Sequence, residues 1–221
     1  MTSIEKGKQR LYSLAEEIAN AVSHGLGVFL GIAATVVLLI QAVRADNKLA
    51  IVGFSVYGVC LTLMYLMSTL YHGITHPGAK KILRVADHCA IYLMIAGCYF
   101  PIALLALRGV ERIAIITVVV SLAIAGIVFK ILTYGKYDKY EKVSVLLYIL
   151  MGWIAVFSLR SIYLATSLPF LLWIGAGGLM YTLGTIFYRS ARIPYNHAIW
   201  HAFVLIASVL QFVGIYTEFT A

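Results

Sequence analysis

Lys, Arg, Asp and Glu divide this chain into seven long uncharged stretches, residues 18–43, 49–79, 88–107, 113–129, 143–159, 161–188 and 193–217. The shortest has 17 residues, and a helix needs about 20, within a range of roughly 17–25, to cross a bilayer core. The pattern predicts an all-α membrane protein, a seven-transmembrane helix bundle. It leaves a short N-terminal segment, residues 1–17, and one transmembrane domain, residues 18–221.

Composition sharpens this picture. Hydrophobic residues make up 62% of the chain and charged residues only 12%, against about 25% charged in a soluble domain, so no soluble domain is expected. The net charge of +8 does not point to nucleic acid, because the basic residues are scattered over short loops. Membrane lipids, and anionic headgroups in particular, are the expected partners. The first uncharged run is too long for a signal-peptide core and has no evident small-residue cleavage site, so the first helix is expected to stay in the mature protein. Cys60, Cys89 and Cys98 all fall in apolar spans, at spacings that suit neither a disulfide framework nor a zinc ribbon. They read as buried free thiols. Composition says nothing about oligomeric state.

Charge also suggests a direction. With seven spans, one side carries Lys6, Lys8, Arg10, Lys80, Lys81, Arg84, Lys130, Lys136, Lys139, Lys142, Arg189 and Arg192. The other carries Arg44, Lys48, Arg108, Arg112 and Arg160. The positive-inside rule places the richer side in the cytoplasm, with the N-terminus inside and the C-terminus outside. Gly27 and Gly31 form a GxxxG pair, and Gly175, Gly177, Gly178 and Gly184 thin the sixth span, as close helix packing in lipid requires. Pro101 interrupts the third span. Tyr71, Tyr134, Tyr137, Tyr140, Tyr188 and Tyr195 crowd the loop borders, where interfacial aromatics collect.

Ionisable groups in or beside membrane spans are costly and mark functional sites by default, and here they gather at one end. Ser68 and His72 close the second span, Asp87 and His88 open the third, and His197 and His201 open the seventh. His24 opens the first, after Glu17 and Asn20. His197 and His201 are four residues apart and share a helix face, the spacing that helical zinc sites use. His72 can add a third nitrogen, and three histidines with one open position make a catalytic zinc arrangement. Asp87 then either deprotonates a water or fixes a ligand from behind, and Ser68, one turn before His72, can bond the water or Asp87. His24 can organise a network with Glu17 and Asn20, while His88 can simply face another helix. The seventh span has no Lys for a retinal Schiff base, and polar groups confined to one end do not line a transport path.

Four motifs carry a resemblance over nearly the whole chain: Glu17 to His24, Ser68 to His72, Ala86 to His88 and Asn196 to His201. In this order, at corresponding helix ends, they resemble the hemolysin III family of bacterial membrane proteins, which groups with the progestin and adipoQ receptors. The resemblance implies a multi-pass protein of the bacterial cell membrane that binds Zn2+ through His72, His197 and His201, with Ser68 and Asp87 as the other motif residues. It also implies kinship with metal-dependent hydrolases of lipid amides. Two functions follow as expectations. One is a zinc-dependent hydrolase of lipid amides or esters near the cytoplasmic leaflet, with Asp87 as base and Ser68 positioning water or the oxyanion. The other is a non-enzymatic sensor or regulator of membrane state whose zinc is structural. Three imidazoles suit several metals, so spacing alone leaves the ion's identity open.

Overall fold

A computed structural model of the protein describes residues 12–190 and 192–220. Lys6, Lys8 and Arg10 of the charge count, and most of the 1–17 segment, lie outside the described residues, as does the side chain of Tyr137. Among the described residues there is no strand, and seven helical spans are long and apolar enough to cross a membrane. The helices are α1 (Leu14–Arg44), α2 (Lys48–Gly73), α3 (Pro77–Leu105), α4 (Gly109–Leu132), α5 (Tyr137–Gly152), α6 (Leu159–Ala165), α7 (Leu168–Tyr188) and α8 (Asn196–Phe219). A 3-10 turn, Ile154–Ser158, joins α5 to α6 within the fifth span.

Helix ends differ from the uncharged intervals because helices in lipid run on into charged headgroup territory. Ser13 caps α1, its hydroxyl accepting from the Glu16 N–H while the Glu16 carboxylate accepts from the Ser13 N–H, a capping box. Glu17 and Asn20 therefore sit inside α1, not before it, and His24 lies about three turns in rather than opening it. His76 caps α3, and Pro77 takes the first helical position, which suits a residue with no N–H to donate. Asp87 consequently lies about three turns into α3, where the sequence places it in the first turn. Lys130, counted among the loop residues of the more basic side, belongs to the last turn of α4 and is buried.

Small residues set the packing. A methyl at Gly27 would stand 2.4 Å from the Tyr65 ring, and one at Gly31 would stand 3.0 Å from the Thr62 hydroxyl, so the GxxxG pair brings α1 onto α2. Gly177 and Gly184 do the same for α7 on α8, whereas Gly175 meets nothing and needs no such account. α1 to α4 pack in sequence, and α8 lies between α7 and α1. The fifth span breaks at Trp153, and Tyr99 covers the break. Its hydroxyl sits 2.9 Å from the Met151 carbonyl and 2.8 Å from that of Gly152, and accepts from the Ala155 N–H at 3.2 Å. Freed backbone groups at membrane depth need such internal partners.

The outside is apolar, with Phe29 74% and Phe157 89% exposed, as a lipid-facing surface should be. Polar burial is concentrated elsewhere. Asn20, His24, Ser68, His72, Asp87, Asn196, His197 and His201 are all buried, and all lie toward the end of the bundle that carries Ser13.

Candidate metal centre

Four helices, α1, α2, α3 and α8, build this end. The last turns of α2 bring Ser68 and His72, and the first turns of α8 bring His197 and His201 on one face. One ligand atom from each of His72, His197 and His201 lies within 4.8 Å of the other two. The ring centroids are 4.9 Å apart for His72 and His197, 5.4 Å for His72 and His201, and 4.5 Å for His197 and His201. The i, i+4 pair and the distant third imidazole are thus brought together as the spacing predicts.

α1 decides which nitrogen each ring offers. Glu17 Oε2 lies 2.6 Å from His72 Nδ1, and a carboxylate only accepts, so Nδ1 carries the proton. His72 Nε2 is then a lone pair, and it is buried without a hydrogen-bond partner. At His201, Nδ1 lies 3.0 Å from Ser23 Oγ and 3.2 Å from the Asn20 carbonyl. Ser23 gives its own hydrogen to that same carbonyl, so both oxygens accept and Nδ1 is again the protonated atom. A metal needs two fixed tautomers of this kind, with a carboxylate or carbonyl behind each ligating imidazole. The donor set therefore fits a divalent ion that takes nitrogen ligands.

Glu17 does not stand alone. Lys80 Nζ lies 2.8 Å from Glu17 Oε1 and 5.1 Å over the Tyr71 ring, which ties α3 to the back of the site. Tyr12 and Tyr188 face His197 with ring centroids at 5.3 and 5.6 Å. Glu16 Oε1 accepts from the Tyr195 N–H at 3.3 Å, fixing the start of α1 beside the start of α8.

Asp87 and Ser68 stand on the other side of the histidines. Ser68 lies beside the Asp87 carboxylate, and both line a cavity together with His24, His88, His197 and His201. Asp87 thus faces Ser68 rather than backing a ligand, and the carboxylate behind His72 is Glu17. His88 donates from Nδ1 to the Arg84 carbonyl at 2.6 Å and sits 3.9 Å from Asp87 Oδ2. Open at a mouth, the cavity runs between α1, α2, α3, α5, α7 and α8 as far as Gln211. Beyond the polar end its wall is mainly apolar.

Sequence reasoning paired Glu17 and Asn20 with His24. The structure turns them to His72 and His201, and stacks His24 on His201 at 3.4 Å. Ser23 and Tyr12 were not foreseen. Ser23 follows Asn20 by three residues and so shares its helix face, a signal available in the sequence. Tyr12 has no comparable signal.

The family described as Haemolysin-III related matches residues 12–212. Hemolysin-3 from Bacillus cereus is 43% identical over 94% of this chain and 94% of its own length. The Hemolysin-3 homolog of Bacillus subtilis (strain 168) is 42% identical over 91% of this chain and 93% of its own. The human monocyte to macrophage differentiation factor is 30% identical over 73% of this chain and 68% of its own.

Proposed function

This chain belongs to the haemolysin-III-related family of multi-pass membrane proteins, and we propose that it is a metal-dependent hydrolase of lipid amides or esters. The observation that carries the reading is the position of Asp87 and Ser68. They lie at the head of a long apolar cavity that His197 and His201 of the three-histidine cluster also line. Zinc is the proposed ion, since three imidazoles with an open position are a zinc pattern. The N-terminal end is proposed to face the cytoplasm, as the basic residues favour, which sets the site below the inner headgroups.

A divalent cation held by His72, His197 and His201 supplies Lewis acidity toward a carbonyl and toward water. The chain's residues do the rest. Glu17, Asn20 and Ser23 hold the imidazoles in the tautomer that presents Nε2. Asp87, buried beside the cluster, takes the proton from the attacking water and returns it to the leaving nitrogen or oxygen. Ser68 holds the Asp87 carboxylate in place and offers a hydroxyl to the reacting oxygen. The apolar wall excludes bulk water and seats an acyl chain whose carbonyl reaches the polar end.

Asp87→Asn tests this reading. The variant is expected to retain its metal and to lose amide and ester cleavage by about 10²–10⁴-fold, the usual worth of a general base. Wild-type rates in a metal-loaded Asp87→Asn protein would remove Asp87 from that role. A second reading has one observation in its favour. The ligands come from α2 and α8 and are backed by α1, so a metal would staple three helices. Metal-loaded wild type that cleaves no lipid amide or ester, yet loses its helix packing on chelation, would favour that structural role.

A further inference from the structure

Four imidazoles meet at this end of the bundle, and a metal accounts for three. The fourth, His24, is 3% exposed and forms part of the cavity wall. Neither of its ring nitrogens has a hydrogen-bond partner. Its ring lies nearly parallel to that of His201, 11° apart in plane and 3.4 Å between centroids. Tyr65 meets it edge to face at 5.1 Å. The in-plane lone pairs of two parallel rings run side by side and do not converge on one ion. The stack therefore sets His24 beside the metal ligands and not among them.

A neutral imidazole always carries one N–H, and burying such a donor without an acceptor forfeits its hydrogen bond to water. A leucine would fill the same space without that cost. The cost is recovered when a bound molecule brings an acceptor to the ring. The rest of the wall indicates what kind of molecule this is. From His201 the cavity follows α8 to Gln211, ten residues along the helix and so about 15 Å of rise, and Met64, Ile91, Ile95 and Val145 line it. The slot suits an acyl chain with its polar end at the histidines.

We propose that His24 binds the polar end of an acyl-chain ligand, its imidazole N–H donating to a carboxylate or carbonyl oxygen held beside the three metal-binding histidines. The assignment rests on the reading of the cavity as the seat of an acyl lipid and does not require hydrolysis. His24 touches the ligand, whereas Glu17, Asn20 and Ser23 act through the metal ligands.

The probe is dodecanoate, titrated by displacement of a fluorescent fatty acid from purified, zinc-loaded wild type, His24→Leu and His24→Gln, with metal content measured in each. All three proteins are expected to hold the metal alike. His24→Leu is expected to bind dodecanoate roughly ten- to hundredfold more weakly, the worth of a hydrogen bond to a charged acceptor, and His24→Gln, which keeps an N–H donor, to regain most of the loss. Equal affinity in wild type and His24→Leu overturns the proposal, and so does wild type that binds no dodecanoate. Loss of metal in His24→Leu overturns it as well, by making His24 a ligand. If His24→Leu does not fold, infrared spectra of ¹³C-carboxylate dodecanoate bound to wild type and His24→Gln decide instead. A shifted carboxylate stretch supports the contact, and superimposable bands overturn it. Cleavage is scored separately on a neutral acyl amide. Dodecanoate bound through His24 without amide cleavage leaves this proposal standing and removes the hydrolase reading alone.

Discussion

Glu17 is the residue on which the site's chemistry turns without touching a metal. Its carboxylate holds His72 Nδ1 at 2.6 Å with one oxygen and Lys80 with the other. Glu17→Gln keeps the shape, but an amide can donate as well as accept, so the tautomer of His72 is no longer forced. Partners of this kind are worth 10–100-fold in metal affinity, and a loss in that range is the expected result of a competition titration with a chelator. Unchanged affinity would mean that His72 is oriented by packing alone. The pairing of His197 with His201 was legible in the sequence, because i, i+4 spacing on a helix fixes a shared face. The partners of Glu17 and Asn20 were not. A helix face that points toward three imidazoles does not say which one it meets, and the choice of His72 and His201 over His24 depends on how α1 is rotated against α2 and α8.

The rotation of α1 is set by close contact between elements. Gly27 lies against the Tyr65 ring, whose hydroxyl is held 2.7 Å from Ser208 Oγ. Ser208 in turn meets the Tyr181 hydroxyl at 2.8 Å, so the ring cannot swing aside without breaking a chain of bonds across α2, α8 and α7. Gly27→Ala is therefore expected to destabilise the protein by about 1–3 kcal/mol, the usual cost of overpacking, and to lower its thermal midpoint in detergent. Gly175→Ala, where nothing is within reach, is the control and should leave the midpoint in place. Equal midpoints for the two variants would contradict this packing. Uncharged intervals located every span but misplaced several ends. Pro77 and the His76 cap start α3 in a stretch where Lys80, Lys81 and Arg84 suggest a loop. The break in the fifth span has no Pro to announce it, and Tyr99, distant in sequence, is what covers its free carbonyls.

At the scale of the whole molecule, hydrophobic residues face outward and polar residues cluster inside one end. This distribution makes sense only with lipid as the solvent around the bundle. The seven spans were readable because lipid leaves charge so few places to go. The cavity was not readable, since its walls come from six helices and its apolar residues look like any others in a span. Because His72 comes from α2 and His197 and His201 from α8, a metal held by all three would be coupled to assembly of the bundle, as metal binding is coupled to folding wherever the site does not exist in the unfolded chain. His197→Ala combined with His201→Ala is expected to abolish metal binding and to lower the thermal midpoint relative to metal-loaded wild type. A double variant that still holds stoichiometric metal would place the ion elsewhere. The central claim is that three imidazoles from two distant helices hold one ion, and metal analysis joined to an anomalous-difference map at the ion's absorption edge tests it most directly. The account predicts a single peak at about 2.0–2.1 Å from His72 Nε2, His201 Nε2 and a nitrogen of His197. Protein purified without chelators that contains no transition metal, or a peak remote from these three rings, would contradict it.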